Sequence, residues 1–229
     1  MYPSIKKEVF SMIKETTLAA VDELIARYPA LSVCREDLLV AVRLICDGYH
    51  GGHKLIVCGN GGSASDSEHI VGELMKGFLL SRKLGPEIAQ KMQQVCPDEA
   101  DYFLENLQGA LPALSLVNQV ALNTAFANDQ APDLSFAQQL LGMGNEGDVL
   151  LAISTSGNST NVIYALQMAK VKGVKTIALT GKSGGKIQSR GLADVTIRVP
   201  DDETFRIQEY HLPVYHMLCI AAENEFFGE

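Results

Sequence analysis

The sequence has little with which to build a disulfide frame or a thiolate metal site. Its five cysteines, Cys34, Cys46, Cys58, Cys96 and Cys219, are odd in number and scattered, and no two form a CxxC pair. That usage suits reduced thiols in a cytosol. There is no basic surplus either: 19 Lys and Arg stand against 27 Asp and Glu, for a net charge of −8. An acidic surface of this kind repels nucleic acid and anionic membrane, so neither is an expected partner. Long apolar runs are missing. The longest, such as residues 38–42 and 149–153, fall far short of the roughly 20 residues that cross a bilayer. Lys6 and Lys7 are followed by acidic and polar residues, so no signal peptide is expected and a cytoplasmic location follows. The chain also has no internal repeat and no low-complexity stretch.

What is present is enough for an ordinary core. Of 229 residues, 47% are hydrophobic, which fits one domain, or one domain with a helical extension, without disulfides or a structural metal. Residues 3–28 have helical periodicity, with Phe10, Ile13, Val21 and Leu24 on one stripe, and a second helix is predicted over 35–47. The period then changes. Residues 54–58 form a short apolar run ended by Gly-Asn-Gly-Gly, a strand entering a loop, and a helix follows from Ser63 with Asp66 as its capping-box partner. Strands are predicted at 113–116, 149–153, 175–179 and 195–199, and helices at 118–127, 159–172 and 206–227. Strands alternating with helices predict a parallel sheet covered on both faces. Residues 80–110, with Pro86 and Pro97, read as an extra helical excursion. The stripe on the first helix has no place on a sheet already covered, so it is expected to be buried between subunits.

Two loops have the composition of a phosphate or sugar cradle. Gly59, Asn60, Gly61, Gly62 and Ser63 lie after a strand and open a helix, where free N–H groups and a partial positive charge meet an anion. The loop is neither GxGxxG nor GxxxxGK[ST], which disfavours dinucleotide and Walker-type sites, and taken alone it could equally be a tight turn. Ser154, Thr155, Ser156, Gly157, Asn158 and Ser159 also join a strand to a helix. Four hydroxyls and an amide suit the oxygens of a phosphate monoester, although one Ser would suffice as an N-cap. Both loops sit at the carboxyl ends of strands, where doubly wound sheets bind ligands.

His69 and Glu73 are four residues apart, so on a helix both lie on one face, as a ligand pair or as a solvated His–Glu pair. Gln208 and His216 are eight apart, about 12 Å of helical rise. They can share an ion only if both lean toward it or come from different subunits, and Pro213 between them would kink the helix.

Gly-Asn-Gly-Gly-Ser followed by His69-x-x-x-Glu73, then Ser-Thr-Ser-Gly-Asn-Ser, Leu-Thr-Gly-Lys-x-Gly-Gly, Arg206-Ile207-Gln208-Glu209 and His216 resembles the phosphoheptose isomerases, which carry a SIS domain. The resemblance covers residues 50–79 and 111–229. It implies a three-layer αβα sandwich around a five-stranded parallel sheet of flavodoxin-like order. Residues 1–50 would form a helical segment used in homotetramer packing, and residues 51–229 the SIS domain with the 80–110 insertion. It implies a ketose–aldose interconversion of a phosphorylated sugar, most simply sedoheptulose 7-phosphate, through an enediol. Glu73 would be the base, His216 the acid, and His69, Glu73, Gln208 and His216 the ligands of one zinc ion. Asn128 and Asp129 would hold sugar hydroxyls, beside Asn60, Gly61, Gly62, Ser63, Ser154, Thr155, Ser156, Ser159 and Gln208. On chemistry alone, Asn128 could equally be a helix C-cap. His50, His53 and His211 fit no such pattern and read as surface residues or residues just behind the site. Two features depart from the family pattern: the long segment between Glu73 and Asp129, and Phe205 where an acidic residue is common. The rival reading is a non-catalytic SIS protein resembling the replication-initiator-associating protein, against which the retained Glu73 and His216 argue.

Overall fold

The computed structural model describes residues 13–229. Helix α1 (Glu15–Arg27) leads through a short 3-10 turn (Pro29–Cys34) into α2 (Arg35–His50). Then come β1 (Leu55–Cys58), α3 (Gly62–Met75), and the two helices α4 (Pro86–Val95) and α5 (Ala100–Asn106). The chain continues through β2 (Ala113–Ser115), α6 (Val120–Asp129), α7 (Ser135–Met143), β3 (Val149–Ser154) and α8 (Thr160–Val171). It ends with β4 (Lys175–Thr180), α9 (Gly185–Ser189), β5 (Val195–Arg198) and α10 (Thr204–Phe227).

The strands pair in parallel in the order β2-β1-β3-β4-β5. Leu55 stands opposite both Ala113 and Val149, and Val149 opposite Lys175. Every residue of β1 and β3 is buried, as unbroken apolar runs must be when helices cover both faces. Alternation along β3 divides the core. Leu151 and Ile153 pack with α1, α2, α3 and α10, while Leu150 and Ala152 pack with α7 and α8. Among the described residues, no helix is long and apolar enough to cross a membrane.

The architecture matches the expected one, and several details differ. The stripe on the first helix is not left over: Val21 and Leu24 are buried in this chain's own core, in contact with α10, because the last helix leaves a groove that α1 fills. Ile13 joins the same core, and Phe10 lies outside the described residues. The capping box at Ser63 does not form. Gly61 takes the cap position, Ser63 is buried two residues beyond it, and Asp66 turns to Tyr215 instead. Pro213 does not break α10, which runs for 24 residues, about 36 Å, through it. Helices α7 and α9 were not predicted; α9 is a single short turn at Gly185–Ser189, too brief for periodicity to register. His211 is no surface residue: it is fully buried against the Thr180 backbone, with no hydrogen bond of good geometry to either ring nitrogen.

Burial pushes the His211 pKa down from its ordinary 6.5 to about 4. An imidazole whose pKa is lowered on folding contributes stability above the unfolded value, and that stability is lost as pH falls toward the folded one. The folded chain should therefore lose about 3 kcal/mol between pH 6.5 and 4 through this residue alone. His211→Leu should flatten that part of the stability–pH curve, measured by urea unfolding across the interval.

Candidate active site

Strand order reverses between β1 and β3, and at their carboxyl ends the chain leaves the sheet in opposite lateral directions, opening a crevice. The loop after β1 enters α3 through Gly61, at a positive φ of 56° that favours glycine. The loop after β3 turns at Gly157, with φ of 64°, where a side chain would run into the Gly184 backbone. The two loops are stitched together: the amides of Asn60 and Asn161 exchange two hydrogen bonds of 2.9 Å. Within the second loop, the buried Ser154 hydroxyl lies 3.1 Å from that of Ser159, and Ser156 Oγ accepts the Asn158 N–H. Thr155 is half-buried, and Ser156 is exposed. Asn60, Gly61 and Gly62 are exposed at the start of α3, where helix N–H groups can meet an anion.

Helix α3 is fixed over the sheet partly by Ser67, fully buried, whose hydroxyl bonds the Ser115 hydroxyl of β2 at 2.9 Å. Helix α10 lies beside α3 and runs in the same direction. At one end a side chain on Gly62 would strike the Gln208 amide, so that amide rests against the start of α3. Two turns on, His69 Nδ1 lies 2.9 Å from the Tyr215 hydroxyl, which also donates to the Asp66 carboxylate. His69 Nε2 lies 3.3 Å from Glu73 Oε1, and Lys76 Nζ lies 3.1 Å from Glu73 Oε2. The His216 ring stands edge-on to that of His69, 5.0 Å between centroids, with Nε2 buried and without a partner. Phe78 and Tyr215 enclose the same ring. On its other side His216 borders a groove of about 160 Å³ between α1 and α10, lined also by Leu24, Arg27 and Tyr28.

These surroundings shift the ionisations. Burial, with His69 and Arg27 adding to it against the pull of Glu73, holds His216 below the usual histidine value. Burial also raises the Asp66 carboxyl, opposed by the Tyr215 hydrogen bond and by His69. Burial, reinforced by Asp66, raises the Tyr215 phenol.

The structure thus brings His69, Glu73 and His216 together within one chain. It sets Gln208 apart from them, against Gly62. Among the described residues, no three His, Cys, Asp or Glu side chains stand close enough to ring an ion. Asn128 and Asp129 end α6, exposed and bonded to one another at 2.8 Å, and Asp129 lines a separate open hollow with Phe126 and Gln138. His50 is half-exposed and bonds Glu225, and His53 lies 4.0 Å from Asp148. Phe205 is exposed, with the Arg206 guanidinium over its ring at 5.6 Å.

A family model of the SIS domain matches residues 108–181. The phosphoheptose isomerase of Citrifermentans bemidjiense is 40% identical over 187 residues, which is 82% of this chain and 83% of that protein. That of Akkermansia muciniphila is 35% identical over 88% of this chain and 92% of its own. The chain belongs to the phosphoheptose isomerase family. Among solved structures, the phosphoheptose isomerase of Neisseria gonorrhoeae superposes with a TM-score of 0.68 at 32% identity, over 90% of this chain and 96% of that one. That of Francisella tularensis gives 0.66 at 29% identity, over 92% and 94%.

Beside the residues that the motifs single out, the structure adds three neighbours. Asp66 is three residues before His69, and so on its face of α3; Tyr215 is next to His216; Asn161 is two residues beyond Ser159. Helical spacing could have flagged Asp66, but nothing local marks Tyr215 or Asn161, whose partners are 146 and 101 residues away.

Gly157→Ala should destabilise the fold by about 1–3 kcal/mol, since it forces an L-residue into positive φ and a methyl into the Gly184 backbone. Thermal unfolding followed by circular dichroism measures this, with the open Gly52→Ala as a control for positive φ alone.

Proposed function

We propose that this phosphosugar isomerase interconverts sedoheptulose 7-phosphate and glycero-manno-heptose 7-phosphate through an enediol, with Glu73 and His216 as the acid–base pair. The observation that carries the assignment is the convergence of His69, Glu73 and His216 between α3, the helix that leaves the first switch-point loop, and α10. An enediol route needs a base for the proton on carbon and a group that serves the two oxygens. Glu73, with one oxygen facing His69 and the other facing Lys76, takes the proton from the hydroxyl-bearing carbon and returns it to the former carbonyl carbon. His216, kept neutral by burial, accepts a hydroxyl proton on one oxygen and returns a proton to the other. The phosphate is held by Ser154, Thr155, Ser156 and Ser159 with Asn60, Gly61, Gly62 and Ser63, and sugar hydroxyls by Gln208, Asn128 and Asp129.

The donors at this spot suit a divalent ion, zinc by their type. If the Tyr215 proton goes to Asp66, His69 carries its own on Nδ1, and its Nε2 lone pair faces Glu73 Oε1 at 3.3 Å. Two acceptors so close call for a cation or a proton between them, and the orphaned His216 Nε2 stands beside them. His69, Glu73 and His216 stand near one another but not close enough to ring an ion, so they would have to draw together to hold it; Gln208, at Gly62, does not join them in this arrangement. Bound there, it would supply polarisation of the carbonyl and the neighbouring hydroxyl.

The reading includes a cytoplasmic homotetramer. All five cysteines are free, which suits a reducing compartment. Helices α4 and α6 bury no side chain in the single chain and expose Val95 and Val120, which further copies would cover.

The test is turnover of a panel of ketose phosphates followed by NMR. Sedoheptulose 7-phosphate should give the aldose, and Glu73→Gln and His216→Asn should each slow it by about 10²–10⁴-fold. Wild-type rates in both variants would remove the assignment. Elemental analysis of protein purified without chelator or affinity metal should find about one zinc per chain, and chelator should abolish activity. Full activity in chelator with no metal bound would count against the ion.

A further inference from the structure

The acid–base residues occupy the middle of the α3–α10 pair, and its far end holds a charged cluster with no part in the chemistry described above. The side chains of Arg82 and Glu223 are both 0% exposed, with Nε 2.8 Å from Oε1. The other two guanidinium nitrogens donate to main-chain carbonyls of α3: Nη1 to Leu74 at 2.6 Å and Nη2 to Glu73 at 2.9 Å. The Glu223 oxygens accept the backbone N–H groups of Phe78 and Leu79 at 2.8 Å and of Leu80 at 3.1 Å. Although burial acts to raise it, these amides and Arg82 hold the Glu223 carboxyl below its ordinary value, so it is ionised in the fold.

A buried ion pair is a poor device for stability alone, because desolvating two charges offsets their attraction and well-packed apolar residues often do as well. What distinguishes this one is what it holds. Helix α3 ends at Met75, so the carbonyls of its last turn have no partner within the helix. Arg82 caps two of them, one belonging to Glu73 itself. Glu223 grips Phe78, whose ring leans on His216 at 5.4 Å between centroids. Glu223 also lies on the helix that carries His216, seven residues further along. One ion pair therefore meets the backbone of one reacting residue and the ring neighbour of the other.

We propose that Arg82 and Glu223 are positioning residues for the isomerisation, fixing where the Glu73 carboxylate stands relative to the His216 imidazole. The proposal rests on the assignment of Glu73 and His216 as the acid–base pair. Neither residue touches the phosphate loops, so the effect falls on turnover and not on binding.

Three variants test it in the full chain: Arg82→Lys, Glu223→Gln, and the paired Arg82→Met with Glu223→Leu. Each is assayed at a temperature where circular dichroism shows it folded, with Glu73→Gln alongside. Lysine keeps a charge for Glu223 but cannot reach both carbonyls, so kcat per folded protein should fall at least about tenfold, while KM stays within about threefold. The His216 ring resonances, identified by their loss in His216→Asn, should move in the same variant. The paired apolar variant should regain thermal stability near that of the parent while kcat stays low. The proposal is overturned if the paired variant recovers both stability and kcat, or if folded Arg82→Lys turns over within about threefold of the parent. Should Arg82→Lys or the pair not fold, Glu223→Gln is judged by the same kcat and KM limits. Full activity in Glu73→Gln would instead remove the acid–base assignment, and the proposal with it.

Discussion

Helix α10 lying alongside α3, both running in the same direction over one face of the sheet, sets the distances among His69, Glu73, Tyr215 and His216. Its register is fixed at three levels. Gln208 rests against Gly62, Tyr215 bonds His69, and Glu223 reaches past the end of α3 to Arg82 and the backbone of residues 78–80. A slip of one residue would turn side chains by about 100° and carry Tyr215 away from His69. The apolar residues Val214, Met217, Leu218 and Ala221 are buried in the same core as Ile70 and Leu74, so packing and polar contacts demand the same register.

The sheet supplies the other half of the geometry. In the parallel order β2-β1-β3-β4-β5, only β1 and β3 are adjacent strands whose connections depart to different sides. Their loops thus face each other across one crevice, joined by the Asn60–Asn161 amide pair. Glycine at positions 61 and 157 lets each loop turn tightly enough to present backbone N–H groups and hydroxyls at a helix start. Oriented amides at a helix start carry partial positive charge, so an anion site needs no net positive charge on the chain. The electrostatics of the imidazole–carboxylate cluster are local as well. Burial keeps His216 neutral while Glu73 contacts a lysine and a histidine.

The segment between Glu73 and β2 does more than connect two elements. It carries Arg82, and the Arg82 carbonyl accepts the Gly109 N–H at 2.7 Å where the excursion returns. The helices α4 and α5 hang from this anchored base, and α4 has no buried residue of its own. The first residues of this segment are tied to the C-terminal helix through Glu223.

Much of this was legible in the sequence. The alternation of short apolar runs with helical periods gave the strands to within a residue or two, because a strand buried on both faces can contain little else. Glycine and hydroxyl residues after the first and third strands marked the crevice, since few other residues can turn there or bind there. His69 and Glu73 declared themselves by a spacing of four, which is a local property of a helix. Other features had no local signature. The burial of Val21 and Leu24 within the same chain depends on the groove left by α10, nearly 200 residues away. Nothing adjacent to Tyr215, His211 or Arg82 distinguishes a residue that will be sealed from one that will face water. The sequence by itself determined the periodicities, the turns and the kinds of chemical group at each strand end, because those follow from backbone sterics and side-chain type within a few residues. Which groups meet was decided only by the tertiary structure: His69 with Tyr215 and His216, Gln208 with Gly62, and Glu223 with Arg82. Those meetings depend on how α10 packs on α3, and packing is a property of the whole core.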